Sequence, residues 1–217
     1  MIISAGRGYI FVHIPKTGGT SLTLALEARA KADDIIVADT PKGQRRKQRL
    51  KALSPPRRLW KHSRLSDIDG MSGLPDPAFV FTLVRNPWDR VVSLYHWSRM
   101  QGFDHPMINA AKTLPFDAFL TDPAILSALK NDTAATYVTD RSGCVHCDAF
   151  VRLEHLATDL APVEAHLGFK LDLPHVNASD HPHTPSQFTS ATTNLIGDIF
   201  AADIARFGYT GPGGTCV

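Results

Sequence analysis

The chain has no long uninterrupted apolar run and few cysteines. No stretch reaches the roughly 18 apolar residues that a membrane-spanning helix needs, so we expect no transmembrane segment. The three cysteines are an odd number, which argues against a disulfide framework. There is also no internal repeat and no basic amino-terminal region of the kind that begins a signal peptide. With 217 residues, 43% of them hydrophobic, we expect a single domain over residues 1–217.

Acidic residues are missing from Pro41 to Arg64, which holds ten of the 23 lysines and arginines. The segment is interpreted as a helix from about Lys42 to Leu53, followed by a turn at Pro55-Pro56. A solvated helix face is the ordinary explanation of such a charge run. Ten like charges nevertheless repel one another, so an anionic partner is the alternative. Because Trp60 is the segment's one aromatic residue, an acidic acceptor or phosphorylated donor is favoured over nucleic acid. The basic residues are Lys42, Arg45, Arg46, Lys47, Arg49, Lys51, Arg57, Arg58, Lys61 and Arg64.

A strand, a glycine-containing loop and a helix follow one another near the amino terminus. Tyr9 to Ile14 is an apolar run of strand length, and Leu22, Ala25 and Leu26 have the spacing of a buried helix face. Adjacent glycines let backbone N–H groups turn toward an anion, and a helix start favours negative charge. The sequence therefore predicts a phosphate or sulfate site; the alternative is an ordinary turn with a surface lysine. The site residues are Pro15, Lys16, Thr17, Gly18, Gly19, Thr20 and Ser21.

The loop differs from the usual nucleoside-triphosphate loop in the position of its lysine. That loop places lysine after the glycines, beside a magnesium-binding hydroxyl. Here Lys16 precedes Gly18 and Gly19, and no strand ends in an aspartate suited to magnesium. We therefore expect a nucleotide phosphate to bind without an obligatory metal.

A second unit of the same kind lies downstream. Ala78 to Val84 has the continuous apolar character of a strand buried on both faces of a parallel sheet, and Arg85 follows it. Asn86 and Pro87 are typical of a helix start, and that helix should reach about Met100 and carry Ser93. If the two strands are parallel neighbours, Lys16 and Arg85 follow the same sheet edge, where ligands bind in open α/β sheets. This arrangement predicts a ligand with two separated phosphates.

That second pattern has an alternative interpretation. Arg85 can pair with Asp89 within the first helical turn, and Ser93 can be a helix-packing residue. Taken alone, this pattern supports the anion site and the helix-packing interpretation equally. The first loop favours the anion site, because two phosphate positions on one edge suit a single nucleotide.

Two motifs resemble the sulfotransferase family. HIPKTGGTSL (His13 to Leu22) and LVRNPWDRVVSLYHW (Leu83 to Trp97) are similar to the branch with carbohydrate 2-O-sulfotransferases and many small bacterial members. RLEHL (Arg152 to Leu156), LPHVN (Leu173 to Asn177) and DIARFGY (Asp203 to Tyr209) also fit bacterial members. The resemblance implies an α/β fold with three layers: a mostly parallel sheet flanked by helices, similar to P-loop nucleoside triphosphate hydrolases.

The resemblance also implies a donor and a set of site residues. The donor is 3′-phosphoadenosine 5′-phosphosulfate (PAPS), with Pro15 to Ser21 at its 5′-phosphosulfate. Arg85 and Ser93 would hold its 3′-phosphate. Similar proteins carry a catalytic histidine in the interval where this chain has His62. His62 is the predicted general base and Lys16 the second catalytic residue; the competing histidines are His13, His96 and His105.

The expected activity is transfer of a sulfuryl group from PAPS to a hydroxyl or amine of an acceptor, either a carbohydrate or another small or anionic molecule. The alternatives are a kinase-like phosphotransferase and a catalytically silent protein that binds a nucleotide or a polyanion. No metal, nucleic acid or membrane span is expected. Without the anchor of Golgi relatives, a bacterial, cytoplasmic protein is expected, whereas the acceptor and the oligomeric state cannot be read from the sequence.

Several other segments carry weaker signals. Cys144 and Cys147 are predicted to be free thiols in a turn, with zinc binding or redox switching as the less favoured alternatives. The loop from His175 to Pro185 carries three histidines and either closes over the donor or packs as a surface loop. Ala191 to Phe207 is predicted to be one closing helix, and residues 211–217 a mobile tail.

Overall fold

The computed structural model describes residues 1–52, 55, 57–174, 188–212 and 214. Its five-stranded sheet has the order β3-β1-β2-β4-β5. β1 pairs antiparallel with β2 and with β3, whereas β2, β4 and β5 are parallel neighbours. All strands except β1 therefore run in one direction, which confirms the predicted mostly parallel sheet. The strands are β1 (Ile2–Ser4), β2 (Tyr9–Val12), β3 (Ile35–Ile36), β4 (Phe79–Val84) and β5 (Ala149–Arg152).

Helices follow the strands and flank the sheet, as an α/β fold requires. Most begin at a capping residue or a proline. Gly18, before the first of the helices listed below, and Gly168 and Gly208, each directly after a helix, have left-handed backbone conformations. The helices are α1 (Gly19–Ala28), α2 (Pro41–Ala52), α3 (Leu65–Ile68), α4 (Pro87–Arg99), α5 (Pro106–Thr113), α6 (Phe116–Thr121), α7 (Pro123–Lys130), α8 (Ala134–Val138), α9 (Leu156–Asp159), α10 (Ala161–Leu167), α11 (Ser190–Ile199) and α12 (Ala201–Phe207).

The central strands leave the sheet at one edge. Val12 is the register partner of Thr82, and the Thr82 hydroxyl donates a 2.7 Å hydrogen bond to the Val12 carbonyl. Val84 is likewise the partner of Arg152. The chain segments that follow β2, β4 and β5 therefore begin at the same carboxyl edge, as the sequence predicted for the first two.

One face of the sheet forms the main core of this part of the chain. Tyr9 and Phe11 of β2 project to the face where Phe81 of β4 lies, with ring centroids 5.6 and 5.4 Å from the Phe81 ring. Leu22 and Leu26 of α1 belong to the same buried cluster. The i, i+4 spacing of these two leucines thus places the helix, and the loop before it, firmly against the sheet.

The chain divides into two compact units. The first comprises Met1–Val84 with Ala135–Ala178, and the second comprises Arg85–Ala134 with Ser179–Val217. The first unit contains the sheet. In the second, α4 packs with α5 and α11, and the Trp88 indole N–H donates to the Thr193 carbonyl at 3.0 Å. A single domain over residues 1–217 stays a prediction.

The end of the chain differs from the sequence prediction. Instead of one helix, α11 and α12 meet at Phe200, whose φ of −106° and ψ of 22° interrupt the helical path while its ring is buried. In the predicted mobile tail, the Gly211 and Gly214 carbonyls accept hydrogen bonds of 2.8 and 3.2 Å from the Asn86 side chain. Positions 213 and 215–217 of that tail and the histidine-containing loop from His175 to Pro185 lie outside the described residues.

A membrane-spanning helix needs about 20 predominantly apolar residues. Among the described residues, no helix combines the length and the apolar character needed to cross a membrane.

Candidate active site

The segment Pro15 to Ser21, which runs from the loop after β2 into the first turn of α1, is the anion site that the sequence predicted and is called the anion cradle below. Lys16 has a φ of 64°, in the left-handed region, and Gly18 follows with a φ of 80°. A Cβ at Gly18 would lie 2.7 Å from Leu153 Cδ1, and a Cβ at Gly19 would lie 2.3 Å from His13 Cδ2. Gly18 is therefore required by its φ, because the Leu153 side chain can move aside, and Gly19 is required by close packing against the His13 ring.

The start of α1 presents backbone N–H groups that suit an anion, although the Ser21 N–H already donates to the Gly18 carbonyl at 3.2 Å. Gly18 is the N-cap and supplies no side-chain hydrogen bond, and the first turn contains no acidic residue. The first N–H groups of a helix have no partner within the helix, and the helix dipole favours negative charge there. This end of α1 is therefore suited to a phosphate or sulfate group.

The three hydroxyl groups of the loop are not equivalent. The Thr17 side chain is buried and donates a 2.9 Å hydrogen bond to the Ile14 carbonyl, so it stabilises the turn itself. Thr20 is exposed, and Ser21 is half-buried in the first turn of α1. Thr17 is one of the residues that the sequence predicted for the anion site, but its hydroxyl is committed to the backbone.

His62 lies beside this loop within the first unit. Its Nδ1 is 2.8 Å from the carbonyl oxygen of His13, which comes directly after β2. Since a carbonyl oxygen only accepts, Nδ1 carries the proton and Nε2 of the neutral ring has the lone pair. Burial lowers the pKa of His62 to about 4, although the hydrogen bond to His13 opposes that shift. At neutral pH, His62 is therefore a neutral imidazole, protonated on Nδ1, whose Nε2 can accept a proton.

His13 lies between His62 and the anion cradle. Its imidazole is buried and stands edge-on to His62, with ring centroids 4.6 Å apart. The same imidazole lies where a side chain at Gly19 would go. Burial, followed by the positive charges nearby, holds the pKa of His13 well below its usual range. His13 is therefore a neutral packing residue between Gly19 and His62, and the general-base role of His62 stays a prediction.

The two other candidate histidines lie in the second unit. His96 is on α4, where its ring stands against that of Tyr95 with centroids 5.4 Å apart. Nδ1 of His105 accepts a 3.2 Å hydrogen bond from the Met107 N–H and caps α5. The structure assigns His105 a capping role that explains its presence without catalysis.

Arg85 and Ser93 are placed by the end of β4 and by α4. Arg85 follows the last residue of β4 and opens the second unit. Asn86 caps α4 as predicted: its side-chain oxygen accepts from the Trp88 and Asp89 N–H groups at 3.1 and 3.4 Å. Ser93 is half-buried on α4. Their binding of a 3′-phosphate stays a prediction.

Part of the basic segment is engaged within the protein. Lys42 and Arg49 donate to the carbonyls of Glu27 and Ala32, and Arg46 donates to the Asp34 carbonyl at 3.1 Å. Beyond α2, Lys61 forms a 2.7 Å ion pair with Asp39, and Arg57 is 3.9 Å from Asp67. Several basic side chains of the segment therefore have acidic or carbonyl partners that the sequence alone did not indicate. Those of α2 attach this helix to the rest of the first unit.

The turn that carries the two cysteines is held by hydrogen bonds. Neither Cys144 nor Cys147 forms a disulfide, and the Cys147 thiol donates to the Ala149 carbonyl at 3.4 Å. The turn is closed by the Asp140 N–H donating to the Cys144 carbonyl at 2.9 Å. The Asp140 side chain meets His146 Nε2 at 2.7 Å. Within the described ranges, no group of three or more histidine, cysteine or acidic side chains could hold a metal ion.

Two residues near the site had no assigned role in the sequence interpretation. Leu153 follows β5 and packs over Gly18, and Trp60 stands edge-on to His62 with ring centroids 5.0 Å apart. Leu153 lies in the RLEHL segment, so the family resemblance was the one available signal for it. Trp60 contacts a residue only two positions further on, but no local pattern connects either residue to the loop, because the His62–His13 contact depends on the fold.

The chain was compared with protein families, curated proteins and solved structures for similarity. No curated protein matches the chain. A crystal structure of mouse sulfotransferase SULT7A1 complexed with PAP is similar over 78% of this chain and 62% of that one, with 23% sequence identity and a TM-score of 0.42. The chain thus spans less than two thirds of the length of that protein. A sequence model described as the sulfotransferase family matches residues 1–210, which confirms the family inferred from the two motifs. This chain therefore belongs to the sulfotransferase family.

Proposed function

We propose that the chain is an enzyme that transfers a sulfuryl group from PAPS to a hydroxyl or amine of an acceptor. One observation carries the proposal: the anion cradle and a histidine with an available Nε2 are joined through His13 in one unit. His13 contacts Gly19 through its ring and His62 through its carbonyl. An anion-binding helix start beside a proton acceptor is what this transfer needs.

We assign the cradle, Pro15 to Ser21, to the 5′-phosphosulfate of the donor. The α1 N–H groups and the Lys16 ammonium would stabilise the negative charge that develops on the bridging oxygen as it leaves. Thr17 would act through its backbone, because its hydroxyl donates to Ile14. Arg85 and Ser93 are proposed to bind the 3′-phosphate, on the strength of the family motif.

We assign His62 to the acceptor. As the new S–O or S–N bond forms and the old S–O bond breaks, the acceptor's proton moves to Nε2 of His62. The His13 carbonyl fixes the tautomer in which this nitrogen is unprotonated. The remaining product is 3′-phosphoadenosine 5′-phosphate (PAP). By analogy with phosphoryl transfer, positioning and charge stabilisation carry the catalysis, and no metal is required in the proposal.

The test is a transfer assay with ³⁵S-labelled PAPS and a panel of sugars, small alcohols, phenols and amines. We expect label to reach at least one acceptor without added magnesium. Lys16→Ala should lower the rate roughly 10²-fold or more, the scale of losing one charge-stabilising donor. His62→Ala should abolish transfer while PAP still binds.

The outcomes separate the proposal from its alternatives. A silent binding protein would bind PAP and label no acceptor, and a kinase-like enzyme would require magnesium and a triphosphate. Full activity in His62→Ala would remove that residue from the mechanism.

A further inference from the structure

Trp60 is an exposed aromatic side chain beside the proposed base. It is 56% exposed, within the segment from Pro41 to Arg64 that holds ten basic residues and no acidic one. A lone apolar side chain on a surface needs no explanation by itself. The position of Trp60 is distinguished by two further observations: its backbone is fixed, and its ring contacts His62.

The backbone of Trp60 is held in a closed turn. Its N–H donates to the Ser63 hydroxyl oxygen at 3.0 Å, and the Ser63 N–H donates to its carbonyl at 2.9 Å. Ser63 is fully buried, so the turn is anchored in the unit while the indole extends into solvent. A pre-positioned aromatic ring loses little conformational entropy when a ligand packs on it.

The contact with His62 places the indole next to the proposed reaction. The two ring centroids are 5.0 Å apart and the rings are nearly perpendicular, at 84°. An acceptor hydroxyl must come within about 3 Å of Nε2 of His62 to give up its proton. Because the indole lies beside the His62 ring, a ring that carries such a hydroxyl can come into contact with the indole.

We propose that Trp60 is the acceptor platform, and that the acceptor carries its reacting hydroxyl on a ring with an apolar face. This inference rests on the proposed sulfuryl transfer, since it is His62 that fixes where the hydroxyl lies. Indole faces pack on flat apolar surfaces, which both the C–H face of a sugar ring and an aromatic ring provide. An open-chain alcohol presents no such face and gains less from the contact.

The experiment compares ring and open-chain compounds on the PAP-loaded protein. Methyl β-D-glucopyranoside and 4-nitrophenol are the ring probes, and glucitol is the open-chain counterpart of the sugar. Binding is measured by calorimetry for the wild type, Trp60→Ala, Trp60→Leu and Trp60→Phe. Phe103→Ala is the matched control, because Phe103 is similarly exposed at 55% but its ring stands against His105 and not against His62. PAP affinity, measured first, shows that each variant is folded.

We expect the wild type to bind at least one ring probe about tenfold more tightly than glucitol, the scale of one stacked aromatic contact. Trp60→Ala and Trp60→Leu should lose this preference, whereas Trp60→Phe and Phe103→Ala should keep it. Preference for the sugar alone identifies a saturated ring, and preference for the phenol alone an aromatic one.

Two results overturn the inference while leaving sulfuryl transfer intact: a wild type that binds PAP but does not prefer rings, and a Trp60→Ala protein that still does. Failure of the wild type to bind PAP overturns the proposed function, and the platform with it.

Discussion

At the scale of single residues, three side-by-side contacts organise the proposed site. Gly19 leaves room for the His13 ring, and the His13 carbonyl accepts a hydrogen bond from His62 Nδ1. Because the His13 and His62 rings also touch, displacing one moves the other. The geometry of the base therefore depends on a glycine in the anion cradle.

This dependence gives a prediction for Gly19→Ala. The new methyl group would lie 2.3 Å from His13 Cδ2, and because that ring is buried it cannot move freely. We expect a loss of about 1–3 kcal/mol in the free energy of unfolding, the usual effect of overpacking. Relative to the wild-type values, the transfer activity should fall by a larger fraction than the free energy of unfolding. Urea unfolding and the labelled-donor assay measure the two effects.

The matched control for this variant is Gly102→Ala. A Cβ at Gly102 meets nothing within 4 Å. Its stability and its activity should therefore stay close to those of the wild type. Equal behaviour of the two alanine variants would contradict the packing argument.

At the scale of elements, α2 is held by its own basic side chains. Lys42, Arg46 and Arg49 donate to carbonyl groups in the segment from Glu27 to Asp34, which follows and includes the end of α1. Positive charge is favourable at the carboxyl end of a helix, and hydrogen bonds from charged groups are stronger than neutral ones. Part of the charge run therefore has a structural role, so fewer of its basic side chains remain to bind an anionic partner.

The prediction for α2 compares two neighbouring arginines. Arg46 is half-buried and bonded to the Asp34 carbonyl, whereas Arg45 is exposed. Arg46→Ala should lower the free energy of unfolding by about 1.5–3 kcal/mol, the value of a hydrogen bond from a charged group. Arg45→Ala should change it by less than about 0.5 kcal/mol. Chemical denaturation measures both, and equal losses would refute the structural role of Arg46.

Elements whose signals are local could be predicted from the sequence. β2 with α1, and β4 with α4, follow from apolar runs, capping residues and glycines that act within a few positions. The interruption at Phe200 could not be predicted, because the apolar spacing continues across it. The direction of the Thr17 hydroxyl was missed for a related reason: a turn carbonyl and a bound anion attract the same donor.

At the scale of the whole molecule, the site depends on contacts between distant positions. His13 and His62 are 49 residues apart, and no local pattern connects them. The family resemblance selected His62, and the fold supplied the physical reason through the fixed tautomer. Trp60 was visible only as a lone aromatic residue in a basic segment.

The buried histidines predict how stability depends on pH. An unfolded histidine binds a proton below about pH 6.5, whereas His62 in the folded protein does so only below about pH 4. Between these values the unfolded state binds more protons, so the free energy of unfolding falls as the pH falls from 6.5 to 4. His13 acts in the same direction.

The variant His62→Asn isolates the contribution of one group. Asparagine keeps an N–H donor near the His13 carbonyl but does not titrate. Urea unfolding at pH 7, 6, 5 and 4 should show a shallower decline for this variant than for the wild type. Parallel declines would show that His62 titrates normally in the folded protein.

The most direct test of the central claim is calorimetric titration of the wild type, Lys16→Ala and His62→Ala with PAP, without divalent metal. The account predicts saturable binding by the wild type, binding weakened at least tenfold in Lys16→Ala, and nearly unchanged binding in His62→Ala. No binding by the wild type, or equal binding by the wild type and Lys16→Ala, would contradict the assignment of the β2–α1 loop to the sulfate donor.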